Sequence, residues 1–254
     1  MVSIREYVDF ATDAAFQAGQ STLAHFQTEV SVERKPDASP VTIADRGAEE
    51  LLRKLIEKRF PDHGLFGEEM GESDNDSSHR WIIDPIDGTQ SFIRGIPLYG
   101  VLLGLEIDGD VVVGICYLPA LGEMLAAGRG EGCRWNGRIA RVSNVDVMSS
   151  AVVSLTEPGS LDGEPYVSFW KRLKNAARVV RGYSDCYGHC LVATGRCEIM
   201  LDPVMNPWDC AALAPIVEEA GGTFTDWSGE RTVYGGSAIS TNSVLLEPLK
   251  ELLS

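Results

Sequence analysis

Asp84-Pro85-Ile86-Asp87-Gly88-Thr89 is the stretch on which the reading of this sequence turns. It follows Trp81-Ile82-Ile83, a short apolar run with the texture of a buried strand. Asp84 leaves that strand, and a turn at Pro85 lets Asp87 curl back towards the same point. Carboxylates so placed offer hard oxygen ligands, and two cations a few ångströms apart suit in-line displacement at phosphorus. Gly88 and Thr89 then open a helical turn through Ser91 to Ile93, whose free backbone N–H groups would face an anionic oxygen. Asp-Pro-x-Asp-Gly is also simply a well-formed turn. Two more acidic motifs, Gly67-Glu68-Glu69 and Trp208-Asp209-Cys210, sit at ends of expected elements and tip the balance towards a metal site.

The surrounding sequence frames that loop. Val2 to Phe26 carries apolar residues at helical spacing, as does Val41 to Phe60, which Pro61 stops. A polar loop from Glu33 to Pro40 separates them. From Leu65 the pattern is strand-like. Leu98 to Glu106 and Val111 to Tyr117 flank the hairpin signal Asp108-Gly109, and a third strand near Glu123 to Ala127 precedes a turn at Asn136-Gly137. The glycine-rich Gly128 to Gly132 lacks the spacing of a nucleotide loop and reads as a hairpin turn. From about Ala151 strands and helices alternate. Strands are expected at Val152 to Leu155, Arg178 to Val180, Cys197 to Leu201, Thr223 to Asp226 and Ala238 to Ser240. Helices are expected over Gly188 to Thr194, over Trp208 to Ala220, and at the end of the chain. The result is a layered α+β chain. A subdomain boundary between Asn144 and Ser150 divides residues 1–147, with most of the metal ligands, from 148–254, with the substrate-selecting residues and Asp209.

Composition narrows the partners. Of 254 residues, 44% are apolar, enough for a sizeable core. Acidic residues outnumber basic ones by 37 to 22, a net charge of -15, which argues against nucleic acid or an anionic membrane as partner. For an enzyme acting on an anionic ester the same charge is a puzzle that bound divalent cations resolve, because they invert the local field. No apolar run is long enough to span a bilayer, and the acidic N-terminal stretch lacks the layout of a signal peptide. Six cysteines without CxxC or zinc-like spacing read as reduced, non-ligating thiols of a cytoplasmic protein.

These motifs, in this order, resemble the inositol monophosphatase superfamily of lithium-sensitive phosphatases. Val41-Thr42-Ile43-Ala44-Asp45 and Glu218-Glu219-Ala220-Gly221-Gly222 add to the match, which spans nearly the whole chain. The resemblance implies the layered αβαβα sandwich of the inositol monophosphatase / fructose-1,6-bisphosphatase type. It implies two or three Mg2+ ions, with Mn2+ as the other candidate, and a homodimer. One ion would be held by Glu68, Asp84 and the Ile86 carbonyl, a second by Asp84, Asp87 and Asp209, and a third, weaker one beside Glu68. Thr89 and Asp45 would pair and, with Glu68, activate the attacking water. Phosphate would lie against Asp87, Gly88 and Thr89. Taken by its own chemistry, Asp45 reads only as a solvated helix carboxylate.

Choice of ester rests on other residues. Ser184-Asp185-Cys186-Tyr187-Gly188, Asp202-Pro203 and Gln90 to Pro97 resemble the histidinol-phosphate phosphatase branch, with Ser184 and His189 standing where that branch commonly has glycine and tyrosine. Histidinol phosphate carries an ammonium and an imidazole, so Asp185 and Asp202, with Asn206 as a neutral partner, are the candidates to bind it. Asp185 is otherwise an N-cap for a helix beginning near Tyr187, and His189 otherwise a packing or surface histidine. The other readings are an inositol or broad sugar-phosphate phosphatase, and a non-catalytic regulatory protein on the same fold.

Overall fold

A computed structural model describes residues 2–36, 39–73 and 77–253, so the centre of the expected polar loop, residues 37–38, lies outside the described residues. The chain begins with α1 (Ile4–Leu23), whose N-terminus is closed by a reciprocal box between Ser3 and Glu6. A small hairpin of β1 (Val32–Arg34) and β2 (Pro40–Thr42) leads into α2 (Ile43–Arg59). Val41 and Thr42, expected inside that helix, form the strand before it, and Thr42 is its N-cap.

Next come β3 (Gly64–Gly67), β4 (Gly71–Glu72), β5 (His79–Asp87), the single turn α3 (Thr89–Phe92), β6 (Gly100–Ile107), β7 (Asp110–Leu118), β8 (Glu123–Gly128), β9 (Gly132–Trp135) and β10 (Arg138–Ile139). They build a sheet of order β10-β9-β8-β7-β6-β5-β3-β4, antiparallel except where β3 runs parallel to β5. The turns at Asp108-Gly109 and Asn136-Gly137 have positive φ at both residues, the backbone that a two-residue hairpin demands.

The second half supplies β11 (Val152–Leu155), α4 (Val167–Ala176), β12 (Val179–Arg181), α5 (Asp185–Ala193), β13 (Ile199–Asp202), α6 (Pro207–Ala211), α7 (Leu213–Glu219), β14 (Thr223–Thr225), β15 (Ala238–Thr241) and α8 (Leu246–Leu253). Its strands form a mixed sheet of order β12-β11-β13-β15-β14. Helix α4 has no counterpart among the sequence-based expectations. The helix predicted over 208–220 is divided at Ala212. Pro215 explains the break, since it has no N–H for the carbonyl four residues back.

Alternation along the strands sorts the layers. Trp81, Ile83, Val101, Leu103, Leu105, Val113 and Ile115 pack with the small-residue face of α1 and with Leu52 and Ile56 of α2. Ile82, Leu102, Cys116 and Leu118 point the other way, onto α5, α6 and α7. The five-stranded sheet covers those helices, and its outer face is closed by Phe169, Trp170 and Leu173 of α4 and Leu249 of α8. The order is therefore helix, sheet, helix, sheet, helix: the layered αβαβα sandwich. Glycines set the close approach of the middle layer. A Cβ on Gly104 would lie 2.9 Å from Ala211 Cβ, and one on Gly114 would overlap the Ala212 carbonyl. Helices α6 and α7 thus sit directly on β6 and β7.

Candidate active site

The decisive geometry is a one-residue irregularity in β5. Asp84 pairs with Leu102 and Asp87 with Gly100, so three steps along β5 match two along β6. In a regular strand residues three apart point to opposite faces. One extra residue restores the parity, and Pro85, lacking an N–H, breaks the ladder there. Asp84 and Asp87 therefore project to the same side without the reverse turn expected from the sequence. Gly88 follows with φ of 82°, where a Cβ would sit 2.9 Å from the Leu98 carbonyl and 3.1 Å from Asp185 Oδ2.

Two more carboxylates meet that pair. The Glu68 N–H donates to the Ile83 carbonyl at 3.1 Å, extending the β3–β5 ladder by one bond and setting Glu68 beside Asp84. Asp209 occupies the third position of α6, where its Oδ2 accepts the Asn206 N–H at 2.7 Å. Oxygens of Asp84, Asp87 and Asp209 all lie within 4.8 Å of one another. Burial pushes the Asp84 and Asp87 carboxyls well above the usual range, and neighbouring carboxylates add repulsion. Burial likewise raises Asp209 to about 6. Among the described residues no lysine or arginine forms an ion pair with any of the three. Oxygen ligands clustered without a counter-charge fit hard divalent cations.

Thr89 Oγ1 lies 3.0 Å from the Ile86 carbonyl and 3.4 Å from Asp45 Oδ1. Its single proton therefore has two acceptors, the Ile86 carbonyl being the nearer. Asp45 is fully buried, not solvated. Its Oδ2 accepts the Thr42 N–H at 2.8 Å and the Thr42 hydroxyl at 2.6 Å, leaving Oδ1 aimed at Thr89.

Next to the carboxylate cluster opens a cleft of about 120 Å³. Asp87 and Asp209 border it, Asp185, Asp202 and Thr156 wall it, and Glu157, Ser160 and Val204 edge it. Among the described residues no basic side chain lines it. Asp185 is the first residue of α5, with φ of 56°, and Ser184 rather than Asp185 is the cap. Burial and the nearby Asp202 raise Asp185 to about 6. The Asp185 N–H donates to Thr156 Oγ1 at 2.9 Å, and the next N–H, of Cys186, donates to Asp87 Oδ2 at 2.6 Å. Asn206 is not among the residues lining the cleft. Its side chain caps α6 and turns to Asp209.

Sequence reasoning missed four neighbours. Thr156 and Glu157 leave the end of β11 with no motif to mark them. Lys35 bridges Glu68 at 2.7 Å and Glu69 at 2.6 Å. Glu49, fully buried in α2, accepts the Glu69 and Met70 N–H groups and pairs with Arg53, so it holds the turn that carries Glu68. A Glu at an otherwise apolar helical position is the one signal that could have revealed it.

The fold and this acidic centre define a class, and the chain belongs to it: residues 3–253 match the model of the inositol monophosphatase family. Its relatives differ in name. It is 46% identical over 240 residues to a histidinol-phosphatase of Chlorobaculum parvum, covering 94% of this chain and 93% of that one. It is 34% identical over 253 residues to an inositol-1-monophosphatase of Mesorhizobium japonicum, covering 95% of each. Among solved structures, the extragenic suppressor protein suhB from Bartonella henselae superposes with a TM-score of 0.91 at 30% identity over 97% of both chains.

Proposed function

We propose that this chain is a divalent-cation-dependent phosphomonoesterase that hydrolyses L-histidinol phosphate to L-histidinol and phosphate. The observation that carries the choice of substrate is the cleft beside the carboxylate cluster, where Asp185, Asp202 and Glu157 meet with no basic side chain among the described residues. Such a wall attracts an ammonium or imidazolium, and the identity to a histidinol-phosphatase supports the same reading.

In this reading Glu68, Asp84, the Ile86 carbonyl, Asp87 and Asp209 hold two or three Mg2+ ions, with Mn2+ as the other candidate. Bound there, the cations would supply the positive charge and Lewis acidity that phosphoryl transfer needs. The protein's own groups do the rest. Backbone N–H groups at Gly88 and Thr89 seat the phosphate. Thr89 Oγ accepts a hydrogen bond from the attacking water while donating to Asp45 Oδ1, and Glu68 takes up the proton. The water oxygen bonds to phosphorus as the ester P–O bond breaks; the departing alkoxide takes a proton from solvent, to which Glu68 returns the one it accepted. Asp185 and Asp202 bind the amine and imidazole.

We place the protein in the cytoplasm as a lithium-sensitive homodimer, with subdomains 1–147 and 148–254 each built around one sheet. No helix of the described residues is long and apolar enough to cross a membrane. The test is a comparison of kcat/KM for histidinol phosphate and inositol 1-phosphate with purified protein. Preference for histidinol phosphate is expected; the reverse would make the chain an inositol phosphatase, and no turnover of either would leave the regulatory reading.

A further inference from the structure

His189 takes no part in the chemistry above, yet it is fully buried in α5 with both ring nitrogens engaged. It follows Asp185 by four residues, so the two share a helix face, and that face meets the end of β13. His189 Nε2 lies 3.1 Å from Asp202 Oδ2, and Nδ1 lies 2.7 Å from Ser240 Oγ on β15. Phe224 packs on the ring at 5.9 Å between centroids.

The donors can be assigned from the partners. A carboxylate oxygen accepts and a ring N–H donates, so the tautomer that satisfies this contact carries its hydrogen on Nε2. In the neutral ring Nδ1 then has only a lone pair, and the Ser240 hydroxyl donates to it. The other Asp202 oxygen, Oδ1, accepts the Thr156 N–H at 3.3 Å. Thr156 Oγ1 in turn accepts the Asp185 N–H. A continuous chain therefore runs from Ser240 through His189, Asp202 and Thr156 to Asp185, and among the described residues no hydrogen bond ties it to Glu68, Asp84 or Asp209.

We infer that His189 is a positioning residue for substrate choice: its Nε2–H fixes the Asp202 carboxylate so that it faces the cationic end of the substrate. The inference rests on the reading in which Asp202 meets that end. Without the ring, one carboxylate oxygen loses its donor and Asp202 is free to turn towards another partner. Phosphate and water positions, set by β5, α3 and α6, stay as they are. The loss is thus specific to substrates that carry a positive charge.

Asparagine and glutamine separate this role from simple packing. Glutamine can bring an N–H close to the Nε2 position, whereas asparagine reaches only as far as Nδ1. His189→Asn should raise KM for histidinol phosphate about tenfold, the scale of one hydrogen bond to a charged group. Its kcat, and KM for the uncharged alcohol ester inositol 1-phosphate, should stay within about twofold of wild type, since neither depends on that bond. His189→Gln should recover most of the lost affinity, and in an Asp202→Asn background His189→Asn should add no further discrimination. In the unmutated protein, side-chain 15N NMR should find the His189 proton on Nε2; a ring protonated on Nδ1 alone would overturn the inference even if the asparagine variant fails to fold. Equal KM changes for both esters, or no change for either, would overturn it too. If Asp202→Asn shifts the KM ratio and His189→Asn does not, only the inference falls. If Asp202→Asn leaves the ratio untouched, the assignment of Asp202 falls with it.

Discussion

In the proposed reading Asp209 serves the reaction and Asp185 the recognition of substrate, so substitutions at them should fail differently. Asp209 Oδ2 accepts the Asn206 N–H, and a carboxylate oxygen of Asp209 lies within 4.8 Å of oxygens of Asp84 and Asp87. Asp209→Asn can keep the cap through its amide oxygen while removing a negative charge from the cluster. Unchanged circular dichroism with a fall in kcat of at least about a hundredfold at millimolar Mg2+ is expected, more than a supporting residue of a metal site costs. Near-normal turnover would remove Asp209 from the ligand set. Asp185 has a left-handed backbone at the cleft wall, a conformation that costs a non-glycine residue about 1–3 kcal/mol and that function commonly maintains. Asp185→Ala should raise KM for histidinol phosphate about tenfold or more, and that for a neutral ester little. Parallel kinetics on the two esters decide it: equal changes would leave Asp185 a structural residue.

At the scale of elements, the site depends on a bulge in one strand, a cap on one helix, and the close seating of another. Gly114 shows how narrowly the last is set, because a Cβ there would overlap the Ala212 carbonyl where α6 meets α7. Gly114→Ala must push the backbone of those helices off the sheet. We expect a loss of about 1–3 kcal/mol in urea unfolding, typical of overpacking, with a drop in kcat as Asp209 moves. A variant as stable and active as wild type would show that the two layers are not tightly coupled. These elements also mark where the sequence stopped being informative. Hairpins at Asp108-Gly109 and Asn136-Gly137 were readable because their backbone demand is local. Asp84, Asp87 and Glu68 were readable as a cluster because each follows a short apolar run with the texture of a strand. The means by which Asp84 and Asp87 converge was not, since a bulge is defined by the register of β6 against β5. Asp45 read as a solvated carboxylate and Glu49 drew no notice, because the groups that bury them, Thr89 and the turn after β3, are distant in sequence. Thr42-x-x-Asp45 does carry a local capping-box signature, and that alone would have placed the start of α2.

The whole molecule brings three of its layers together at this one place: Asp84 and Asp87 come from the eight-stranded sheet, Asp185 and Asp209 from the middle helices, Asp202 from the second sheet. Their mutual repulsion adds to a chain already at net charge -15. Cations that bind them would therefore hold the layers together as well as serve the reaction. Burial raises Asp209 and Asp185 to about 6, and raises Asp84 and Asp87 above the ordinary value. An unfolded chain releases these protons near pH 4. Between roughly pH 4 and 6 the metal-free folded protein thus holds more protons than the unfolded one, so its stability falls as pH rises through that window. Above it Asp185 and Asp209 are ionised, and bound cations can offset the repulsion within the cluster. At a hundredfold excess over Kd the gain from binding is about 2.7 kcal/mol, or roughly 5–10 °C in Tm for a chain of this size. EDTA should accordingly lower Tm by that amount at pH 8, and the loss should shrink steadily towards pH 5 as protons take the place of metal. Thermal melts across this range, with and without Mg2+, test the coupling. A Tm indifferent to EDTA at pH 8, or an EDTA effect that grows on acidification, would mean that the cluster is not the cation site and that its carboxylates are stabilised by some other means.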